Sequence, residues 1–370
     1  MTEYRIATIP GDGIGNEVMP EGQRVLEAAA RRYGFSLRFD TFDWNCEYYA
    51  RHGRMMPANG LEQIRHHDAI FLGAVGFPGV PDHISLGGLL LEIRRGFDQY
   101  ANVRPVRSLP GLKSPLIDRM PGDIDMIIVR ENTEGEYSSV GGIIGKGTAG
   151  ETAVQVSSFS RRGVDRILKY AFDTASQRPR KHVTSATKSN GLAITMPYWD
   201  ERFAQMSQAY PGIRVDQYHI DILSARFVLS PERFDVVVAS NLFGDILSDL
   251  GPACTGTIAV APSANINPER AYPSMFEPVH GSAPDIFGQN IANPIGQIWS
   301  GAMMLAHLGE TEAADGVMDA IEAVLCNGPR TPDLGGNDST STVGKAISAA
   351  LLQEDMHDFP HKTQRRIPQN

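Results

Sequence analysis

A short apolar, β-branched run that stops at a polar or glycine-containing turn recurs along this chain, and this repetition constrains the fold more than any other feature. Arg5–Pro10 (RIATIP) comes first, ended by Pro10 and the turn Gly11-Asp12-Gly13-Ile14-Gly15. Asp68–Gly73, Met126–Val129, His182–Ser185 and Val236–Ser240 follow. Helical periodicity through Val25, Leu26 and Ala29 fills the first interval, with Gly34 placed to end the helix. A second strand is expected over Ser36–Phe42 and a helix over Gly60–His66. Strands alternating with helices predict an α/β architecture with parallel strands, whose chemistry collects at the turns that follow the strands. With 370 residues the chain has room for two domains, at roughly 150 residues each.

Two stretches break the alternation. Residues 135–160 are rich in Gly, Ser, Thr and Val, with Val154 and Val156 alternating with polar neighbours, and predict a β-ribbon that packs on something else. The polar segment Glu354–Asn370 carries two prolines and is expected to be poorly ordered. A formal charge of −9, from 34 basic and 43 acidic residues, argues against nucleic acid or an anionic membrane as partner, since both reward clustered positive charge. Cys46, Cys254 and Cys326 are far apart and without a C-x-x-C pair, which offers neither a disulfide framework nor a zinc cluster. Met1 leads directly into a strand-like run, and no apolar stretch reaches a membrane span. The expectation is a soluble, cytoplasmic protein.

Gly11-x-Gly13-x-Gly15 fails the dinucleotide fingerprint, because Asn16 stands where the third glycine belongs, and there is no Walker loop. The turn reads as one that lets a helix start close to the sheet, and a nucleotide would be held elsewhere. Further along, Val236–Ser240 feeds Asn241-Leu-Phe-Gly-Asp245-Ile-Leu-Ser-Asp249. A helix starting near Gly244 puts Asp245 and Asp249 on one face, four residues apart, where like charges repel. Ile246, Leu247 and Leu250 suggest that this helix is largely buried, and unpaired buried carboxylates point to a divalent cation. Oxygen ligation suits Mg²⁺ or Mn²⁺ better than zinc. Asp221, in an apolar setting, is a third available acid; His219 beside it reads as structural.

Cationic groups balance these acids. Arg94, Arg95, Arg104 and Arg107 lie close together, and Arg130 ends the strand Met126–Val129. Arg95 and Arg107 are expected to be solvated, whereas Arg104, before Pro105, sits in a rigid setting. Arginine pairs bidentately with carboxylates, so Arg94, Arg104 and Arg130 facing acids and a metal would form a site for a small polyanion. Lys188 follows a strand in a polar turn; a nearby metal would favour its neutral form, able to take a proton. Tyr137 could act as a phenolic acid.

Several segments, in order, resemble the metal-dependent β-decarboxylating dehydrogenases, the family of the 3-isopropylmalate, isocitrate and tartrate/D-malate enzymes. They are Gly11–Gly15, Asn102-Val-Arg104-Pro, Arg130-Glu-Asn-Thr-Glu-Gly-Glu-Tyr137, Lys188-Ser-Asn190, Asn241–Asp249 and His280-Gly-Ser-Ala-Pro-Asp285. The resemblance covers residues 4 to about 350. Pro81–Leu86, Phe97–Tyr100 and Ser263-Ala-Asn265 are similar to the tartrate/D-malate branch. It implies a two-domain isopropylmalate dehydrogenase-like α/β fold with a non-Rossmann nucleotide site. Residues 1–103 and 256–370 would form the large nucleotide-side domain and 104–255 the small one, with a β-arm near 135–160 clasping a second subunit. It also implies a homodimer with shared active sites. Arg94, Arg104 and Arg130 would hold substrate carboxylates, and Asp245 and Asp249 would bind Mn²⁺ or Mg²⁺ with Asp221 of the neighbour. Lys188, also from the neighbour, would be general base and Tyr137 general acid; K⁺ is an optional helper.

NAD would lie over Glu277–Asn293. Asp285 would accept both adenosine-ribose hydroxyls and repel a 2′-phosphate. His280 and Asn293 would meet the adenine along the strip Gly281, Ser282 and Ala283, and Ile14, Glu277 and Asn190 would lie toward the nicotinamide. The implied reaction oxidises and decarboxylates a C4 2-hydroxy dicarboxylate: D-malate to pyruvate and CO₂, or tartrate. The nearby alternative is 3-isopropylmalate or a broad range of 3-alkylmalates. One departure bears on that choice. The isopropylmalate branch carries Glu, and the tartrate/D-malate branch Trp, where this chain has Gly87. Either the pocket opens there or Leu89 fills the space. A binding-only homologue would be expected to lose Lys188, Tyr137 or one of the acids, and all are present.

Overall fold

The computed structural model describes residues 2–353; the segment expected to be poorly ordered, Glu354–Asn370, lies outside them. Among the described residues the strands are β1 (Glu3–Gly11), β2 (Ser36–Thr41), β3 (Ala69–Ala74), β4 (Ala101–Arg107), β5 (Asp125–Glu131), β6 (Gly141–Ile144), β7 (Thr152–Gln155), β8 (His182–Thr187), β9 (Arg214–His219), β10 (Val236–Ala239), β11 (Pro262–Ile266) and β12 (Ser274–Pro278). Ten of them form one sheet in the order β2-β1-β3-β12-β11-β4-β5-β10-β8-β9.

The pairing corrects the expectation of parallel strands throughout. β2, β1, β3 and β12 are mutually parallel, and so are β5, β10, β8 and β9. Between these blocks, β11 runs antiparallel to β12 and β4, and β4 antiparallel to β5. The blocks therefore point in opposite directions, so the strand ends of one face the strand starts of the other. Pro105 lies opposite Ile127 of β5, beyond the stretch of β4, Ala101–Val103, that pairs with β11, so it leaves no ladder bond unmade on that side. The expected 103/104 boundary falls inside β4, and 255/256 falls at the end of the helix Asn241–Thr255. A single sheet thus runs through both expected units.

Local signals explain the elements that flank the site. The helix Gly15–Tyr33 buries Val18, Met19, Val25, Leu26 and Ala29 and ends at Gly34, as its periodicity requires. The helix Ile295–Leu308 is buried from Ile295 to Ala306, with Gln297 and Ser300 among its otherwise apolar residues. A second apolar cluster gathers Ile9, Trp44, Met55, Met56, Leu72, Leu89 and Ile93. The β6–β7 ribbon forms within the expected stretch, with every residue of both strands exposed. Cys46 and Cys254 are buried and Cys326 is partly so, all three as free thiols. No helix among the described residues is long and apolar enough to cross a membrane.

The glycine turn is a packing device. Gly13 has φ +51°, and a Cβ there would lie 2.1 Å from the Ser282 carbonyl oxygen, a contact that only glycine permits. Ile14 N–H donates to that same oxygen at 2.9 Å. Its side chain packs with Val18 and Ala292 against Ala283 and Ile286. The turn thereby docks the 280s loop onto the first helix, spending on protein the backbone donor that a phosphate would need.

Candidate active site

The acidic helix starts at Asn241, three residues earlier than the sequence suggested. Its N-terminus receives the carboxylate of Glu136, which accepts from Ser240 Oγ at 2.7 Å and Leu242 N–H at 3.1 Å. A negative group there satisfies free N–H donors and complements the helix dipole. Asn241 completes the tie: its Nδ2 donates to the Glu134 carbonyl at 3.1 Å, and its Oδ1 accepts from Arg130 Nη2 at 2.7 Å. The 131–137 loop is thus fastened to the helix, which fixes where Tyr137 and Asp245 meet.

They meet directly. Tyr137 Oη donates to Asp245 Oδ2 at 2.7 Å, and Asp245 Oδ1 is ion-paired to Arg130 Nη1. The Arg130 guanidinium carbon lies 5.4 Å from the Tyr137 ring centre. Gly244 makes this possible, since a Cβ there would sit 2.6 Å from Arg130 Cβ. Arg104, inside β4, donates to Ser248 Oγ at 2.6 Å and to Asp249 Oδ1 at 3.4 Å. Arg94 ends a short helix and pairs with Glu277 at 2.7 Å. All three arginines are buried, and Nε of both Arg94 and Arg104 is buried without a partner. Arg95 and Arg107 are not wholly solvated: Arg95 donates to the Tyr137 carbonyl at 3.1 Å, and Arg107 lies 3.6 Å from Glu322.

The expectation of buried, unpaired acids is corrected. The side chain of Asp249 is 57% exposed and that of Asp245 is 36% exposed, and Ile246 faces outward. The apolar periodicity misled because only one stripe, through Phe243 and Leu247, meets the core. Burial alone would raise Asp245, but the charge of Arg130, the Tyr137 hydrogen bond and the charges of Arg104 and Arg94 hold it below the ordinary carboxylate range. Asp249 goes the other way: burial and the charge of Asp245 raise it despite Arg104. Burial, then Asp245, pushes the Tyr137 phenol up to about 12, so it holds a proton at neutral pH. Burial lowers both Arg104 and Arg130, each beside further guanidinium charge.

Lys188 and Asp221 form a separate pair, 3.0 Å apart. Lys188 follows β8, and Asp221 lies in the first turn of the helix Ile220–Leu229. The hydrogen bond from Lys188 holds Asp221 below the usual carboxylate range. Among the described residues, no hydrogen bond or ion pair joins this pair to Tyr137, Asp245 or Asp249. Nor does any group of three or more His, Cys, Asp or Glu among them have an arrangement able to hold a metal. One chain therefore brings together two of the three expected acids.

Of the expected nucleotide residues, His280, Gly281, Ser282, Ala283, Asp285 and Asn293 lie along the loop between β12 and the helix Ile295–Leu308. Asp285 and Gly281 are exposed, Ser282 is buried and Ala283 is half-buried with φ +39°. His280 Nδ1 meets the Gly281 carbonyl at 3.0 Å, and its buried Nε2 has no protein partner. Asn293 is committed elsewhere: it donates to Asp333 at 3.0 Å and accepts from Ile295 N–H at 3.0 Å. Ile14 is buried against this loop, Glu277 is held by Arg94 and Asn265, and Asn190 is exposed beside Lys188. Sequence reasoning missed Glu136 and Ser248 as site residues. Glu136 sits within a quoted motif, but nothing local marks it as the cap of a helix a hundred residues away.

Residues 5–347 match the family model described as isocitrate/isopropylmalate dehydrogenase. The chain is 64% identical to the D-malate dehydrogenase (decarboxylating) of Escherichia coli (strain K12), over 95% of this chain and 100% of the relative. It is also 64% identical to a tartrate dehydrogenase/decarboxylase of Pseudomonas putida, over 95% of this chain and 99% of the relative. Among solved structures, the isocitrate dehydrogenase from Methylococcus capsulatus matches with a TM-score of 0.85 at 34% identity, covering 95% of this chain and 100% of that one.

Proposed function

Since the chain belongs to the isocitrate/isopropylmalate dehydrogenase family and is an oxidoreductase, we propose that it oxidises and decarboxylates D-malate to pyruvate and CO₂ with NAD⁺, and also oxidises tartrate. The observation that carries this reading is the hydrogen bond from Tyr137 to Asp245 beside the buried Arg104 and Arg130. A proton-bearing phenol, an acid and fixed cations suit a small dicarboxylate. The names of the two 64%-identical relatives support the same substrates.

Arg94, Arg104 and Arg130 hold the substrate carboxylates; Nε of Arg94 and of Arg104, buried and unpartnered, are donors still to be used. Asp245 and Asp249 offer hard oxygen ligands of the kind Mg²⁺ or Mn²⁺ takes, and the mutual repulsion that raises Asp249 is relieved by a cation between them. Asp221 of the partner subunit supplies the third carboxylate. The 280s loop would hold NAD, since the Asp285 carboxylate is exposed there and His280 Nε2 lacks a protein partner. When bound, NAD⁺ would supply a hydride acceptor for C2, and a divalent cation held by these carboxylates would supply Lewis-acid stabilisation of negative charge. Lys188 of the partner subunit takes the hydroxyl proton. Tyr137 gives its proton to the carbon that has lost CO₂, a role its raised pKa suits because the phenol stays protonated until needed.

The working unit is a homodimer. The exposed Val140, Ile143, Ile144, Val154 and Val156 on the ribbon, and Ile222 and Ile246 near the acids, form apolar surface that a second copy would cover. Residues 1–103 with 256–370 act as the nucleotide-side domain and 104–255 as the domain bearing the acids. Three free cysteines suit a cytoplasmic setting.

Gly87 favours a second, broader reading. It lies in the π-helical turn Leu86–Leu90, and a Cβ built on it meets no atom within 4 Å. Leu89 is fully buried in the core beside Met55 and Ile93, so it does not occupy that space. This open space supports a reading in which the enzyme also takes 3-alkylmalates.

Steady-state rates with D-malate, the tartrates, 3-methylmalate and 3-isopropylmalate test both readings. They would be taken with NAD⁺ or NADP⁺, Mn²⁺ or Mg²⁺, and with and without K⁺. NADH and pyruvate should form from D-malate, and chelation should abolish both. Absence of turnover with every C4 acid overturns the main reading; turnover of D-malate but of neither 3-alkyl acid overturns the broader one.

A further inference from the structure

We infer that Asn265 is a positioning residue for substrate binding, acting through Glu277 on Arg94. This rests on the reading of Arg94 as a holder of a substrate carboxylate. Asn265 is fully buried in β11, where the two strand blocks meet. Its Oδ1 accepts from Asn102 Nδ2 and from Asn132 Nδ2, both at 2.9 Å, and its Nδ2 donates to Glu277 Oε1 at 2.8 Å. Glu277 Oε1 in turn accepts from Arg94 Nη2 at 2.7 Å.

The direction of this chain of bonds is forced. Asn132 Nδ2 also donates to the Gln99 backbone carbonyl at 2.9 Å, and a carbonyl can only accept, so the Asn132 amide cannot flip. Asn265 must then present its oxygen to Asn132 and its NH₂ to Glu277, since an ionised carboxylate only accepts. One oxygen of Glu277 is thereby held between an amide donor and a guanidinium donor. The Asn102–Asn265–Glu277 path crosses β4, β11 and β12, so it ties the placement of Arg94 to the strand next to the acid-bearing block. Arg94 Nε stays unpartnered within the same buried setting, as a donor reserved for a ligand would. Asn265 lies within the segment Ser263-Ala-Asn265, but its partners Asn102 and Asn132 lie far away in the chain, so nothing local marks this role.

Asn265→Asp isolates the link. It keeps the shape and the oxygen that Asn102 and Asn132 need, but replaces the donor to Glu277 with a second acceptor. We expect KM for D-malate to rise roughly tenfold, the scale of one lost hydrogen bond to a charged group, with a smaller rise in KM for NAD⁺, toward which Glu277 also lies, and kcat within about twofold of wild type, the signature of lost ground-state binding. Asn265→Ser, which removes the reach to Glu277 without adding charge, should shift KM in the same direction and guards against a misfolded aspartate variant. Thermal midpoints are measured alongside. Unchanged KM for D-malate in both variants overturns the inference, as does a rise confined to NAD⁺ or an equal fall in every parameter that tracks the midpoint. Arg94→Gln is the control: if it leaves KM for D-malate unchanged, the substrate role of Arg94 falls and the Asn265 inference with it. If Arg94→Gln raises KM and the Asn265 variants do not, only the Asn265 inference falls.

Discussion

Mixing two inactive variants should restore activity if the catalytic groups come from two chains. Within one chain, Lys188 pairs with Asp221 at 3.0 Å, while Asp245 is bound to Arg130 and Tyr137. Lys188→Met removes the proposed base, and Asp245→Asn removes a proposed metal ligand. Asparagine keeps an oxygen toward Arg130, whose guanidinium is also held by Asn241, so the buried arginine is not abandoned, a loss that costs several kcal/mol at such sites. Loss of a general base costs on the order of 100- to 10,000-fold, so the Lys188→Met homodimer should fall to about 1% of wild type or below; the Asp245→Asn homodimer should be similarly inactive. After co-refolding at equal concentrations, about half of the dimers are mixed, and each mixed dimer has one complete site and one doubly defective site. Activity should therefore recover to about one quarter of wild type by this symmetry count, well above either parent. The assay is NADH formation from D-malate, with differently tagged chains to prove that mixed dimers form. Activity that stays at parental levels while tagged mixed dimers are present would refute the shared site.

Asp249→Asn should slightly raise the thermal midpoint in chelator near neutral pH. A carboxyl whose folded pKa is raised costs stability once pH passes that value, and the amide removes the cost; solvent exposure keeps the gain under about 1 kcal/mol. The same variant should lose the stabilisation that Mn²⁺ gives wild type, about 2.7 kcal/mol at a hundred times Kd; a normal Mn²⁺ shift in the variant excludes Asp249 as a ligand. Asp285→Lys should weaken NAD⁺ relative to NADP⁺ in kcat/KM, since its exposed carboxylate is the proposed acceptor for the ribose hydroxyls; an unchanged ratio removes Asp285 from the cofactor site. Gly87→Trp should lower kcat/KM for 3-alkylmalates by tenfold or more, on the order of a lost apolar pocket, and spare D-malate. Equal losses on both substrates would mean that the space beside Gly87 is not where the 3-substituent lies.

The residues that were legible from sequence are those whose local surroundings conflict with their chemistry. Asp245 and Asp249 repel each other on one helix face, and Arg130 ends an apolar strand, so each asks for a partner before any fold is known. The α/β alternation was equally local, because strand and helix periods differ within a single turn of chain. What stayed hidden depends on register between distant strands. β4 reads poorly because it carries Arg104 and Pro105, yet its antiparallel pairings with β5 and β11, together with that of β11 with β12, reverse the sheet. Only that reversal brings Asn102 opposite Asn265, and it lets Glu277 on the adjoining strand reach Arg94. Burial of a helix is likewise a property of its neighbours: Ile246 is as apolar as Leu247, but one faces outward and the other the core. Apolar character at Ile246, Ile222 and the ribbon therefore carries different information from apolar character in the core. It marks a second surface, the one that another copy of the chain would cover in the proposed dimer. A sequence encodes both kinds of apolar surface in the same residues, and the single-chain structure separates them by burying one kind and leaving the other exposed beside the proposed site.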